Sequence, residues 1–218
     1  MKTIGIMGGM GSYATLYTFK KILDACNYID NESNYPHIII NNNPKLPSRV
    51  RAILYNEKKE ELLEGLRNGI SALSLCGAKR ILIPCNTAHY FYNDIVPKNT
   101  NVLNMVRITK DVCTNKYNKI GVLASEGTIK AKIYGEDVIY PDESRWPFLR
   151  SIIEDVKRNK VSLNTYRRLT SEINEFKDVD CVILACTEFS VLSKNLNSYH
   201  LRYPICDALD EAIKVLIK

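Results

Sequence analysis

The chain has 218 residues, 45% of them apolar, with 30 Lys and Arg against 24 Asp and Glu and a formal charge of +6. A chain of this length buries a sizeable core without disulfides or a structural metal, and no apolar run reaches the length of a membrane span. Its basic residues are scattered among acids, as in Glu57-Lys58-Lys59-Glu60-Glu61, which describes a solvated helix face and argues against nucleic acid or membrane as a partner.

The N-terminus runs straight into a strand pattern at residues 3–7, so no signal peptide is expected and the protein is placed in the cytoplasm. The turn that follows reads GGMGSYAT. Gly9 to Ala14 satisfies G-x-G-x-x-A after a strand, which raises a dinucleotide- or phosphate-binding reading. That fingerprint expects an acid at the end of the second strand. Here the second strand, residues 37–41, leads into Asn42 and Asn43, and the lysine of a P-loop is missing as well. Helices are expected over residues 12–26, with Ser12 as N-cap, and 56–76. Between them Arg49 falls in a proline-bounded loop. A strand at 80–84 ends at Cys85-Asn86-Thr87, and a short one follows at 102–103. After a boundary near residues 104–117 come strands at 119–124 and 138–140, then helices at 144–157 and 162–176, the latter capped by Ser162. A strand at 181–185 ends at Cys186-Thr187-Glu188. A last strand at 204–206 leads into a helix capped by Asp207 and running to Ile217. Strands that are continuous apolar runs, alternating with helices, predict an α/β fold with parallel sheets covered on both faces.

The order of these elements repeats. KTIGIMGG (residues 2–9) matches NKIGVLAS (118–125), and AKRILIPCNTAH (78–89) matches VDCVILACTEFS (179–190). A duplication accounts for this. It predicts two pseudo-symmetric lobes, residues 1–104 with 206–218 and residues 105–205, and a cleft between them. Ligands of open α/β sheets bind beyond the carboxyl ends of the strands, where both Cys85 and Cys186 lie. There are seven cysteines, an odd number with no C-x-x-C pair, so neither a disulfide framework nor a metal site is expected. Cys26, Cys76, Cys113, Cys181 and Cys206 read as small apolar residues. Cys85 and Cys186 differ because they occupy matching strand ends beside polar turns. Thiols facing one carbon from opposite sides are what a two-base racemase needs. Asn86, the Thr hydroxyls and the turn N–H groups suit a carboxylate. Met10 and Gly11 read as close backbone approach to a substrate carboxylate or to the facing lobe. His89 is either a cation beside Cys85 or a residue facing elsewhere.

With IGIMGGMGSYAT, NNPKLPSRV, IPCNTAH, EGTIKAKIY and ACTEFSVL in this order, the chain resembles the aspartate/glutamate racemase family, in its cofactor-independent aspartate racemase branch. The resemblance implies a two-lobed enzyme, often a homodimer, that racemises aspartate or glutamate without a cofactor. It places the catalytic pair on Cys85 and Cys186 and carboxylate-binding groups on Arg49 and Lys157. It puts Asn86, Thr87, Thr128, Thr187 and Glu188 along the cleft. The glutamate-specific branch carries an acid in the first glycine turn, where this chain has Met7-Gly8-Gly9-Met10, so aspartate is the expected substrate and broad specificity the alternative. Hydantoin racemases and maleate isomerases also use a cysteine pair, and a non-catalytic small-anion binder is the reading from another class.

Overall fold

Three apolar runs, IGIMG, IGVLA and CVILA, are buried along their whole length and become the central strands. In the computed structural model, which describes residues 2–26, 31–196 and 198–218, the elements follow in order. The first are β1 (Ile4–Gly8), α1 (Ser12–Ala25), β2 (Ile38–Asn42), α2 (Arg49–Tyr55), α3 (Lys59–Leu75), β3 (Arg80–Leu82), α4 (Tyr92–Ile95) and α5 (Met105–Thr114). Then come β4 (Ile120–Ala124), α6 (Glu126–Lys130), α7 (Trp146–Lys157), α8 (Leu163–Asn174), β5 (Cys181–Ala185), α9 (Thr187–Leu196), β6 (Ile205–Asp207) and α10 (Ala208–Leu216).

The strands form two parallel sheets, ordered β2-β1-β3 and β4-β5-β6. Single parallel bridges extend each sheet at opposite ends, Ile81 to Val102 beside β3 and Gly121 to Ile139 beside β4. The two sheets are therefore equivalent, β1 to β4 and β3 to β5, with Val102 in the place of β6 and Ile139 in the place of β2. The strands expected at 102–103 and 138–140 are each reduced to one bridging residue. Residues 104–117, read as a boundary, hold α5, which Asn104 caps by accepting the Arg107 N–H. Arg49, read as a loop residue, opens α2, capped by Ser48.

Helix faces follow the apolar spacing. On α3 the residues Leu62, Leu66, Ile70 and Leu73 are buried at three- and four-residue steps. Ser162 caps α8 with a reciprocal Thr165 pair, and Asp207 caps α10 by accepting the Leu209 N–H. Ser12 is the first helical residue and not the cap, which is Gly11 without a side-chain bond; the Ser12 hydroxyl accepts from Asn42 Nδ2 instead. α10 packs against α5, α1 and α9, and Arg80 donates to the Val215 and Leu216 carbonyls at its C-terminal end. One apolar core joins Ile4, Ile6 and Leu82 of the first sheet to Val122, Val182 and Ile183 of the second. Among the described residues no helix is long and apolar enough to cross a membrane.

Candidate active site

The first glycine turn is shaped by the chain itself. Gly9 has φ +88°, and a Cβ there would lie 2.2 Å from the Asn43 backbone, so only glycine fits beside the end of β2. Its N–H donates to Thr15 Oγ1 at 3.0 Å, and the Met10 carbonyl accepts from Arg49 Nη2 at 3.0 Å. The Gly9 N–H, a donor that a dinucleotide phosphate would need, is thus taken by Thr15. Gly11 faces the second half: a Cβ on it would lie 2.5 Å from Glu188 Oε1. Met10 is buried.

Cys85 and Cys186 stand one to three residues beyond the carboxyl ends of β3 and β5 and are buried. The turns that carry them meet, because Thr187 Oγ1 donates to the Pro84 carbonyl at 2.9 Å. Parallel strands of equal register bring this about, since each sheet presents its C-terminal edge to the other half. Thr87 then reaches across to the second half, 2.8 Å from Ser125 Oγ and 3.0 Å from Thr128 Oγ1. Gly127 permits this approach; a Cβ there would come within 3.2 Å of Thr87 and Val50. Asn86 Oδ1 accepts from the buried Tyr134 hydroxyl at 2.6 Å, which fixes the amide so that its NH2 points the other way.

Three buried polar atoms beside these turns have no protein partner: Arg49 Nε, Asn86 Nδ2 and Glu188 Oε1. Arg49 also donates from Nη1 to the Pro47 carbonyl at 3.0 Å. Each unpaired buried group costs about 1–3 kcal/mol, so three in one neighbourhood mark a place that a polar ligand completes. Two are donors and one is an acceptor. Lys157 differs from the rest. It is exposed in the last turn of α7, and only its charge reaches the Cys186 thiol.

Electrostatics act on the second thiol in a definite direction. Burial pushes the Cys186 thiol well above its ordinary pKa, the Glu188 carboxylate pushes the same way, and Lys157 opposes both. Cys186 Sγ donates to Glu188 Oε2 at 3.0 Å. Near Cys85 stands His89, whose Nδ1 lies 2.8 Å from the Cys85 carbonyl and whose Nε2 accepts the Met105 N–H at 3.1 Å. A backbone N–H only donates, so Nε2 carries no proton and His89 is neutral, as burial also dictates by lowering its pKa. It is not a cation beside the thiol; it ties the Cys85 turn to the start of α5. Ser125 and Tyr134 were not singled out from the sequence, although each lies in a segment matched to the repeat or the family. A lone hydroxyl shows no role until the fold supplies its partner.

A model of the Asp/Glu/hydantoin racemase family matches residues 7–216. The broad specificity amino-acid racemase RacX of Bacillus subtilis (strain 168) is 28% identical over 219 residues, covering 94% of this chain and 92% of its own. Among solved structures, the aspartate racemase of Picrophilus torridus superposes with a TM-score of 0.84 at 27% identity, over 100% of this chain and 93% of its own. An aspartate racemase homologue from Pyrococcus horikoshii OT3 gives 0.75 at 23% identity, over 100% and 98%.

Proposed function

Because the chain belongs to the Asp/Glu/hydantoin racemase family, we propose that it is a cofactor-independent amino-acid racemase whose first substrate is aspartate. The observation that carries this reading is the trio of unpaired polar atoms beside two strand-end thiols. Donors at Arg49 and Asn86 answer a carboxylate, and the Glu188 acceptor answers an ammonium. Together they are the complement of an amino-acid zwitterion.

Cys85 and Cys186 serve opposite faces of the α-carbon. One thiolate removes the α-proton and the opposite thiol returns a proton to the other face. The carbanion's charge spreads onto the α-carboxylate, where Asn86, the backbone N–H groups of the turns and the Thr87 and Thr128 hydroxyls stabilise it. Thr187 holds the two turns together, and Met10 and Gly11 bring the first turn against the substrate. Arg49 takes a carboxylate in the bidentate manner suited to a guanidinium, and Lys157, exposed at the end of α7, offers its charge to a second one. The enzyme works in this reading as a cytoplasmic homodimer.

Likeness to the broad specificity racemase RacX supports a second reading, in which several amino acids are accepted. A polarimetric or chiral-chromatography assay with L- and D-Asp, L- and D-Glu and a panel of neutral amino acids separates the two. Racemisation without added cofactor is expected, with Asp fastest. Cys85→Ser and Cys186→Ser should each lose on the order of 10²–10⁴-fold in racemisation, while α-proton exchange in D₂O persists for one enantiomer. Full turnover in both variants would remove the two-thiol mechanism.

A further inference from the structure

The two thiols are not equivalent. Cys85 is followed by Asn86, an amide. Cys186 is followed two residues on by Glu188, whose side chain is 4% exposed and accepts the thiol proton at 3.0 Å. A glutamate in the first turn of a helix ordinarily turns toward solvent or the free N–H groups. Glu188 instead turns into the interior, and Gly11 on the facing half leaves it room. We propose that Cys186 and Glu188 form one proton-sharing pair, in which S–H···⁻O exchanges with S⁻···H–O and Glu188 holds the thiol proton while the thiolate meets the substrate.

The sharing balances. As the Cys186 S–H bond breaks, an O–H bond forms on Glu188, and the pair keeps its single negative charge. The thiolate then takes the α-proton, breaking Cα–H and forming S–H. Cys85 S–H breaks as a new Cα–H forms on the opposite face, and the negative charge comes to rest on Cys85. The reverse turnover returns it. One charge thus circulates over three buried groups, and no step buries a second one, which would be costly in so dry a site. The surroundings provide for both states. The Glu188 N–H and the Lys157 charge favour the thiolate, while burial and the Glu188 carboxylate favour the thiol. On the elements packed against α9 other charges are paired, Lys20 with Asp24, Lys21 with Asp210, Arg150 with Glu126, Arg168 with Asp155, Glu172 with Arg145 and Glu211 with Lys214, and the charges that act on this thiol are Glu188 and Lys157.

The inference rests on the racemase reading for the identity of the carbon acid, but its test does not. Iodoacetamide alkylation of the wild type and of Glu188→Gln is followed from pH 6 to 10, with Cys186 and Cys85 read as separate peptides by mass spectrometry. Removing the carboxylate removes its repulsion of the thiolate. The Cys186 midpoint should therefore fall by a pH unit or more in E188Q, with about tenfold faster alkylation below it, while Cys85 is unmoved. Racemisation falls at the same time. Because Glu188 also meets the substrate ammonium in the racemase reading, KM and kcat of E188Q are measured separately: a fall in kcat at saturating substrate reports the lost proton acceptor, and a rise in KM with kcat unchanged overturns the pair. Glu188→Asp, which keeps the charge, should keep the high midpoint. A Cys186 midpoint unmoved in E188Q, or racemisation by E188Q at the wild-type rate, overturns the pair and leaves the racemase reading standing. A shifted midpoint in a protein that racemises nothing has the opposite meaning: the pair stands and the proposed reaction falls.

Discussion

At the scale of single residues, Gly11 and Glu188 form a contact that neither half of the chain shows alone. Gly11 has an extended backbone, φ −172°, which any residue adopts, so its constraint is steric only. A methyl group there meets Glu188 Oε1 at 2.5 Å. Gly11→Ala should therefore fold with a stability change within about 1 kcal/mol, since the clash falls on a side chain. It should nonetheless turn the Glu188 carboxylate off Cys186 and slow racemisation by about tenfold or more, because the proton acceptor is misplaced. Unfolding curves and kcat on the same preparation check both halves, and an unchanged kcat contradicts the contact's role. Cys85 and Cys186 were legible in the sequence because they recur at matched strand ends, whereas Glu188, whose counterpart is Thr87, was named only through the family resemblance. Tyr134 and Ser125 were not, because their hydroxyls acquire partners only when distant turns meet.

At the scale of elements, the start of α10 carries a pH-dependent term. Asp207 Oδ1 accepts from Ser190 Oγ at 2.6 Å and from the Leu209 N–H at 3.0 Å, while its Oδ2 is buried without a partner. Burial leads the causes that raise its pKa to about 6, against about 3.9 in an unfolded chain. The folded state thus binds this proton more tightly than the unfolded one. Its stabilising effect is complete below pH 4, is lost as pH rises from about 4 to 6, and does not change above that. Two units correspond to about 3 kcal/mol. Asn caps a helix about as well as Asp and has no such proton, so Asp207→Asn should gain about 2–3 kcal/mol relative to the wild type between pH 4 and pH 7. Urea unfolding at those two values measures it, and a difference independent of pH would show that the carboxyl is not desolvated. This cap, like that of Ser162, was readable because capping is local chemistry. The Gly11 cap was misread as Ser12, since the Ser12 hydroxyl is drawn to Asn42 on β2, a partner 30 residues away.

At the scale of the whole molecule, one apolar core spans both sheets while a second packs α3 on the outer face of the first. The core that packs Ile4, Ile6 and Leu82 against the strands of the second half is continuous, and α5 and α10 pack on each other. Chemical unfolding should therefore be one cooperative transition, with near-UV circular dichroism and activity lost at the same denaturant concentration. Two separated transitions would show that the lobes fold independently. The α/β class, the parallel strands, the repeat and the two strand-end thiols followed from the sequence alone, because apolar runs, caps and a duplicated pattern depend on neighbours within a few residues. The approach of the halves decided the rest: which polar atoms are left without partners, that His89 is neutral, and that the Cys186 thiol hydrogen-bonds to Glu188. Those properties depend on burial and on contacts between segments far apart in the chain, which no local pattern records.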